Sequence, residues 1–218
     1  MISCHPDDET LGCGATLIKA RENGHSIFWV IATQGYEPVW SSELIEKKTR
    51  EVEHVAAAYG VERFFPLRFP AGGLEGVPIE SVMRGIGQVA AAVKPDTVYI
   101  IHGGDVHTDH QMVFQAAMSV FKPFHMSGFN TKKLLCYETL SSTECAPSTT
   151  GVPFVPTVFN DVTAYMDHKI EIMMLYETEL QADPLPRGPS AIRALARFRG
   201  STIGVEFAEA FVLLREVI

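Results

Sequence analysis

Apolar runs that alternate with segments of helical periodicity are the feature that most limits the folds open to this chain. The runs SIFWVIAT and TVYII are continuous and contain β-branched and aromatic residues, as expected of strands covered on both faces. VERFFPLRF and KLLCYE supply two further strands. Because helical segments separate the strands, right-handed crossovers and parallel pairing are favoured. The pattern predicts an α/β fold, a Rossmann-like three-layer sandwich with a mostly parallel central sheet.

The helical segments are bounded by residues that stop helices. ETLGCGATLIKARENG closes at Gly24, and SELIEKKTREVEHVAAAYG closes at Gly60. Two more helices are predicted from Ile79 to Val93, before a Lys-Pro-Asp breaker, and from Gln111 to Phe121. A fifth pattern of helical spacing lies in AYMDHKIEIMMLYETEL. The Ser-, Thr- and Pro-rich stretch from Ser141 to Pro156 predicts a long surface loop that frames a pocket.

Composition narrows the class of protein. With 218 residues, 46% of them hydrophobic and 20% charged, the chain is typical of a globular protein, and we expect one domain spanning residues 1–218. The net charge of -8 argues against a nucleic-acid partner. No apolar run approaches the ~20 residues of a membrane span, and MISCHPDDE lacks the basic and apolar regions of a secretion signal. A cytoplasmic location is therefore expected.

The four cysteines are expected to be reduced thiols. Cys4, Cys13, Cys136 and Cys145 contain no CxxC pair and no zinc-finger spacing. Cys4 adjoins His5, but two neighbouring residues on the same metal would strain the turn. A role as small buried apolar groups is favoured for the cysteines.

Two clusters of imidazole and carboxylate groups follow predicted strands. The first is MISCHPDDET, and the second, GGDVHTDHQM, comes directly after TVYIIH. In an open parallel sheet, ligands bind beyond the carboxyl ends of the strands, so the two loops can meet in one crevice. Helix N-termini are the structural alternative, because carboxylates there satisfy free N–H groups and oppose the helix dipole.

Spacing separates the expected roles. A turn at Pro6 brings His5 and Asp8 onto one side, where they can share a metal ion. His107 and His110 repeat this interval, and either could supply a third ligand. Two histidines and one carboxylate with an open position form a hydrolytic zinc arrangement, in which the pKa of a bound water falls toward ~7.

Asp7 is the predicted general base. Adjacent carboxylates cannot easily reach one ion with good geometry, so Asp7 is free to accept a proton from water if Asp8 binds the metal. The remaining histidine of the second loop is expected to be kept protonated by nearby carboxylates. It would then stabilise an oxyanion or protonate a leaving amine.

The motifs HPDDE, HTDH and FRGSTIGVEFAEAF resemble those of the PIG-L/LmbE-type zinc-dependent N-deacetylases, which act mainly on N-acetylglucosamine-containing molecules. Weaker matches, including TREVEHVAAAYGV and YETELQ, extend over nearly the whole chain. The first two motifs together are specific. The resemblance implies one Zn²⁺ per chain, for which other divalent transition metals could substitute. It also implies a small-molecule substrate, an amino sugar or a glycoconjugate. It is compatible with a homo-oligomer.

Individual roles also follow from the resemblance. It implies three metal ligands: His5, Asp8 and His110. It makes Asp7 the general base, His107 the group that faces the oxyanion or leaving amine, and Asp109 the group that orients His107.

Three further residues are expected at the substrate. Arg50 in TREVE matches a family arginine that contacts the sugar or its phosphate, although a solvated helix-face cation is the alternative. Glu75 in FPAGGLEG is the only acidic candidate where many members place a sugar-contacting residue. Asp105 occupies a position where some relatives have other polar groups, and we count it with the substrate-binding residues.

Other functions compete with sugar deacetylation. Hydrolysis of another acylated conjugate, such as a thiol-sugar or an antibiotic, would use the same chemistry, and a non-catalytic metal-containing sugar-binding module would use the metal without turnover. Dinucleotide binding is disfavoured because GCGATL lacks the third fingerprint glycine, and the preceding acidic residues would repel a pyrophosphate. We expect Gly12 and Gly14 to allow close helix-to-sheet packing instead.

Overall fold

The computed structural model describes residues 1–147 and 151–218, and within them seven strands form one sheet. The strands are β1 (Ile2–Ser3), β2 (Phe28–Gln34), β3 (Arg63–Pro70), β4 (Thr97–Ile101), β5 (Lys133–Tyr137), β6 (Val158–Asp161) and β7 (Ala208–Glu216). Their order is β3-β2-β1-β4-β5-β7-β6. The first five pair in parallel, whereas β7 is antiparallel to both β5 and β6. The predicted α/β class and mostly parallel sheet are confirmed.

Helices cover both faces of the sheet. They are α1 (Asp8–Glu22), α2 (Ser42–Ala58), α3 (Ile79–Val93), α4 (Thr108–Val120), α5 (Pro123–Met126), α6 (Met166–Met173) and α7 (Pro189–Ile203). On one face α3 packs against α4, and on the other α1 packs against α6, which contacts α7. A helix lies in every connection between consecutive strands from β1 to β5, as parallel pairing requires.

The strand order locates the site. β1 lies between β2 and β4, so the chain leaves β1 in one direction to build half of the sheet and returns to the other side of β1 to continue it. The crevice at such a switch point lies beyond the carboxyl ends of the two central strands. Here β1 leads into His5 and β4 leads into the Asp105–His110 loop.

Close packing of α1 against its neighbours depends on two glycines. A Cβ on Gly12 would lie 2.0 Å from Cδ2 of Tyr137, and one on Gly14 would lie 2.5 Å from the hydroxyl of Tyr59. Real Cβ atoms do not approach other atoms this closely, so any side chain at Gly12 would push the helix away from β5. Gly12 therefore serves the expected helix-to-sheet packing, whereas Gly14 packs against Tyr59 at the end of α2 and not against the sheet.

The final third of the chain differs most from the sequence prediction. The helix expected through Leu180 ends at Met173, because turns follow in which Thr178 is bonded to Glu51 of α2 and Tyr176 is fully buried. Strand β7 and helix α7 were not predicted at all. The predicted loop from Ser141 to Pro156 includes residues 148–150, which lie outside the described residues.

The helices of the described residues were compared with the requirements for crossing a membrane. None of its helices combines the length and apolar character that a bilayer crossing requires.

Candidate active site

The two predicted clusters meet in space. His5 and His110 are 105 positions apart in the chain, yet Nδ1 of His5 lies 3.1 Å from Nε2 of His110. His5 follows β1, and His110 lies in the first turn of α4 after β4. Both histidines therefore sit at the switch point of the sheet.

Asp8 completes a set of three donor groups. Its Oδ2 lies 3.8 Å from Nδ1 of His5, and its Oδ1 lies 3.5 Å from Nε2 of His110. Ligand atoms at ~2.0–2.1 Å from a tetrahedral metal are about 3.3 Å apart. The 3.1 Å between the two histidine nitrogens and the 3.5 Å from His110 to Oδ1 are close to this value, whereas the 3.8 Å distance to His5 is measured from the other oxygen, Oδ2. The donor set therefore fits one divalent metal ion.

Hydrogen bonds orient both imidazoles toward this point. Nε2 of His5 lies 3.1 Å from the carboxylate of Asp109, and Nδ1 of His110 lies 2.8 Å from that of Asp105. Each carboxylate accepts an N–H, which leaves the lone pair of the other ring nitrogen directed at the shared point. Backbone N–H groups of Cys4 and His5 donate to Oδ2 of Asp8 at 3.0 and 2.7 Å and hold it in place. The arrangement is that of a preorganised metal site.

Cys4 is a less suitable ligand, although its sulfur lies close to the two histidines. The sulfur is 3.6 Å from Nε2 of His5, the nitrogen that faces Asp109 rather than Asp8. Burial raises the pKa of the Cys4 thiol well above its ordinary value, and the neighbouring Asp8 and Asp109 raise it further. Since thiolates are the metal-binding form, the three-residue set of two histidines and Asp8 is favoured.

Asp7 lies beside the predicted metal ligands in a strained backbone conformation. It precedes α1 with a φ of 90°, which is unusual for a residue other than glycine and typical of functional sites. Its buried carboxylate accepts a hydrogen bond from Nη1 of Arg187 at 3.0 Å. Burial raises the pKa of Asp7 well above its ordinary value, as do Asp8 and Glu179, while Arg187 opposes the rise.

Arg187 and Glu179 connect Asp7 to the cavity wall. The same Nη1 of Arg187 lies 2.9 Å from Glu179, which is also paired with Lys48 of α2. Sequence reasoning did not assign a role to Arg187. The only local signal is its position in PLPRGP, where prolines and glycine restrict the backbone.

His107 packs against the rings of His5 and His110. Its ring is 4.8 Å from that of His110, nearly parallel to it, and 4.5 Å from that of His5. Burial lowers the pKa of His107, and the two neighbouring histidines lower it further. Asp109 and Asp8 oppose this fall, and the net direction favours the neutral ring over the protonated one expected from the sequence. The N–H of Asp109 donates to Nδ1 of His107 at 3.2 Å, which assigns the proton of the neutral ring to Nε2.

Two carboxylates have partners other than those expected. Asp105 is fully buried against His110, so it orients that ring and is not placed to contact a substrate. The carboxylate of Asp109 orients His5 and accepts N–H bonds from Gly72 and Leu74 at 2.6 and 3.1 Å; only its backbone contacts His107. Asp109 has these partners because it lies in the first turn of α4, which directs its side chain toward the residues that follow β3 and β1.

Arg50 and Glu75 are not brought to the site. The side chain of Arg50 is 61% exposed and lies 3.7 Å from Glu46, one helical turn away. Glu75 is exposed in a short 3₁₀ turn, and neither residue lines the cavity. Because the cavity side of α2 carries Lys48, Thr49 and Val52, Arg50 is directed elsewhere on the helix. The structure gives no support to the predicted substrate contacts of Arg50 and Glu75.

A cavity of about 630 Å³ opens from the histidines, a size in the range of small-molecule sites. Its lining includes all the predicted metal ligands, Asp7 and His107, together with Arg187. It continues between α2 and the β2–β3 edge of the sheet, and residues 139–142 form part of the opposite wall.

Comparison with known proteins agrees with this arrangement. Residues 1–121 match the PIG-L family, described as GlcNAc-PI de-N-acetylase. The uncharacterized deacetylase YaiS of Escherichia coli strain K12 is 29% identical over 165 residues, which cover 74% of this chain and 80% of that protein. Diacetylchitobiose deacetylase of Thermococcus kodakarensis is 23% identical over 220 residues, covering 95% of this chain and 79% of that protein.

Solved structures show the same fold. The conserved protein TT1542 of Thermus thermophilus superposes with a TM-score of 0.76 at 26% identity, covering 100% of this chain and 94% of that chain. N,N'-diacetylchitobiose deacetylase of Pyrococcus horikoshii gives 0.77 at 20% identity, with 98% and 82% covered, a likeness that concerns the fold alone. Since the family match spans more than half of the 218 residues and contains both histidine motifs, this chain belongs to the PIG-L family.

Proposed function

We propose that this protein is a zinc-dependent hydrolase that removes an N-acetyl group from an amino sugar or an N-acetylglucosamine-containing glycoconjugate. The observation that carries the proposal is the convergence of His5, Asp8 and His110 at the floor of one cavity, with the carboxylate of Asp7 beside them. Relatives named as deacetylases support it.

The donor set favours zinc. Two imidazole nitrogens and one carboxylate oxygen are typical of catalytic zinc sites that keep a position open. When bound, such a metal polarises the substrate carbonyl and lowers the pKa of water at the site. Asp109 and Asp105 keep the two imidazoles in the tautomers that this role requires.

Asp7 moves the proton. Its carboxylate accepts a proton as a water oxygen bonds to the amide carbon, and the same carboxyl can return that proton to the departing nitrogen as the C–N bond breaks. The products are acetate and a free amine. Arg187 holds the carboxylate of Asp7 in place through the 3.0 Å contact.

His107 acts as a neutral hydrogen-bond donor. Its Nδ1 accepts the N–H of Asp109, so Nε2–H is available to the oxygen that gains negative charge. A neutral imidazole is a poor proton donor to the leaving amine. This task therefore falls to the protonated Asp7.

A panel of N-acetylated amino sugars and nucleotide sugars, assayed for amine and acetate release by the zinc-loaded protein, tests the proposal. Asp7→Asn should lower the rate by roughly 10²–10⁴ while zinc stays bound. Asp8→Asn should release the zinc. Zinc bound without release from any acylated sugar would contradict the proposal and favour a sugar-binding module, and release only from other acylated conjugates would favour the alternative amidase.

Two properties of the proposed enzyme remain predictions from the sequence. These are a cytoplasmic location and the homo-oligomer with which the family resemblance is compatible. Cell fractionation and light scattering of the purified protein test them.

A further inference from the structure

We propose that the buried ion pair between Lys169 and Glu209 positions the turn that carries Asp7 and Asp8. The inference rests on the proposed function and adds two positioning residues to it, neither of which lines the cavity. Lys169 lies in α6, and Glu209 lies in β7 within the C-terminal motif FRGSTIGVEFAEAF. The proposed reaction alone assigns no role to this motif.

Both charged groups of the pair are removed from water. Nζ of Lys169 lies 2.7 Å from Oε1 of Glu209, and each side chain is 3% exposed. Taking an ammonium and a carboxylate out of water costs free energy, which their attraction offsets only when the geometry and the additional hydrogen bonds are good. A buried ion pair is therefore a weak source of stability. What the pair determines instead is where its other hydrogen-bond partners lie.

Those partners are backbone groups of α1. The ammonium of Lys169 donates to the carbonyl oxygen of Leu11 at 2.8 Å. The two carboxylate oxygens of Glu209 accept the N–H groups of Ala15 and Thr16 at 3.0 and 2.7 Å. In an α-helix the N–H of residue 15 is directed at the carbonyl oxygen of residue 11, so the pair contacts both groups of one helical hydrogen bond. The pair thereby fixes the helix backbone relative to α6 and β7.

Helix α1 connects the pair to the active site. Asp8 is its first residue and Asp7 its N-cap, and the carbonyl oxygen of Asp7 accepts the N–H of Leu11 at 2.8 Å. Leu11 therefore bonds to Asp7 through its N–H and to Lys169 through its carbonyl oxygen. A shift of the pair would move Asp7 and Asp8 relative to His110, which belongs to a different helix, α4.

The metal site tolerates little displacement of this turn. Oδ1 of Asp8 lies 3.5 Å from Nε2 of His110, near the separation of about 3.3 Å between two ligand atoms on a tetrahedral zinc ion. Loss of a group that orients a metal ligand lowers metal affinity by about 10–100-fold. Misplacement of a reacting group by about 1 Å lowers the rate by roughly 100-fold. We therefore expect the pair to affect both zinc affinity and kcat.

The first experiment replaces both charges by apolar side chains of similar size, Lys169→Met together with Glu209→Leu. Such a replacement often leaves stability unchanged or increases it, so the urea midpoint of the metal-free variant should be at or above that of the wild type. Its zinc affinity should nevertheless fall by about 10–100-fold in a calorimetric titration. At saturating zinc, kcat should fall more than KM changes, because the pair does not line the cavity.

The matched control is Lys133→Met together with Glu216→Leu. This ion pair joins β5 to β7, with 2.8 Å between Nζ and Oε1, but its side chains are 40% and 37% exposed and belong to two paired strands. The control should keep the zinc affinity and kcat of the wild type. A difference between the two double variants therefore reports the contacts with α1 and not the loss of an ion pair as such.

Hydrogen exchange of the metal-free protein needs neither zinc nor substrate. The N–H groups of Leu11, Ala15 and Thr16 should exchange faster in the Lys169→Met and Glu209→Leu double variant, whereas those of α3 should keep wild-type rates. Glu209→Asp keeps the charge and shortens the side chain by one methylene, so it should show the same changes to a smaller extent. If the double variant failed to fold, the zinc affinity of Glu209→Asp would decide the proposal.

The outcomes separate the two proposals. Wild-type zinc affinity in the folded double variant overturns the positioning role and leaves the deacetylase. Absence of turnover of every acylated sugar by the wild-type protein contradicts the deacetylase, and zinc affinity with hydrogen exchange then decides the positioning role alone.

Discussion

The guanidinium of Arg187 lies 3.0 Å from the carboxylate of Asp7, although 180 positions separate the two residues. Arg187 also bridges to Glu179, so one cation lies between two buried or half-buried carboxylates. Removing the cation would leave two like charges facing each other in a cavity of low polarity. The position of the proposed base therefore depends on a residue from the far end of the chain.

Arg187→Ala should lower kcat by roughly 10–100-fold, because a misplaced base loses alignment with the reacting water. Arg187→Lys should recover part of the loss. The measurement is kcat for the best substrate of the panel, together with zinc content, which should be unchanged in both variants. Arg193→Ala is the control, since its partner Asp167 is exposed. Wild-type kcat for Arg187→Ala would show that Asp7 needs no such support.

The contact between Asp105 and His110 predicts an effect on metal affinity. Asp105→Asn weakens the hydrogen bond to Nδ1 and no longer favours the tautomer with a free Nε2, so zinc affinity should fall by about 10–100-fold. Competition with a chromophoric chelator measures it. Asp167→Asn is the matched control because its side chain is 86% exposed. Unchanged affinity would mean that His110 does not depend on Asp105 for its orientation.

Local patterns predicted the parallel half of the fold and the proximity of His5 and Asp8, whereas the choice of His110 over His107 came from the family resemblance. Strands β2 and β4 were visible as apolar runs, and the spacing of His5 and Asp8 was enough to place both on one turn. Strand formation and the spacing within one turn both depend on residues that are close together in the sequence. The same holds for the glycines that end α1 and α2.

Other features depend on contacts between distant segments. Arg187 reaches the site from the segment between α6 and α7, where it pairs with Asp7 and Glu179, a contact that no local pattern predicted. The partners of Asp105 and Asp109 follow from the position of α4 over the sheet. Arg50 was misplaced because adjacent helix positions differ by about 100° in direction, and motif resemblance does not determine which of them faces a cavity.

Thiol reactivity should distinguish one cysteine from the other three. Burial raises the pKa of the Cys136 thiol to about 12 and that of Cys13 well above its ordinary value, whereas Cys145 is exposed. Because the thiolate is the reactive form, the folded protein should label rapidly at one site, and faster as pH rises. Cys145→Ser should remove the rapid phase. Rapid labelling of two or more thiols would contradict the buried positions of Cys4, Cys13 and Cys136.

Gly12→Ala should destabilise the fold, because the added Cβ would lie 2.0 Å from Cδ2 of the buried Tyr137. Overpacking of this kind costs about 1–3 kcal/mol. Urea unfolding in the presence of a chelator measures the cost without a contribution from metal binding. Gly76→Ala is the matched control, since no atom lies within 4 Å of its added Cβ, and its stability should stay within about 0.5 kcal/mol of wild type. If Gly12→Ala were as stable as this control, α1 could not lie as close to β5 as described, and the turn that positions Asp7 and Asp8 at its start would have to be placed differently.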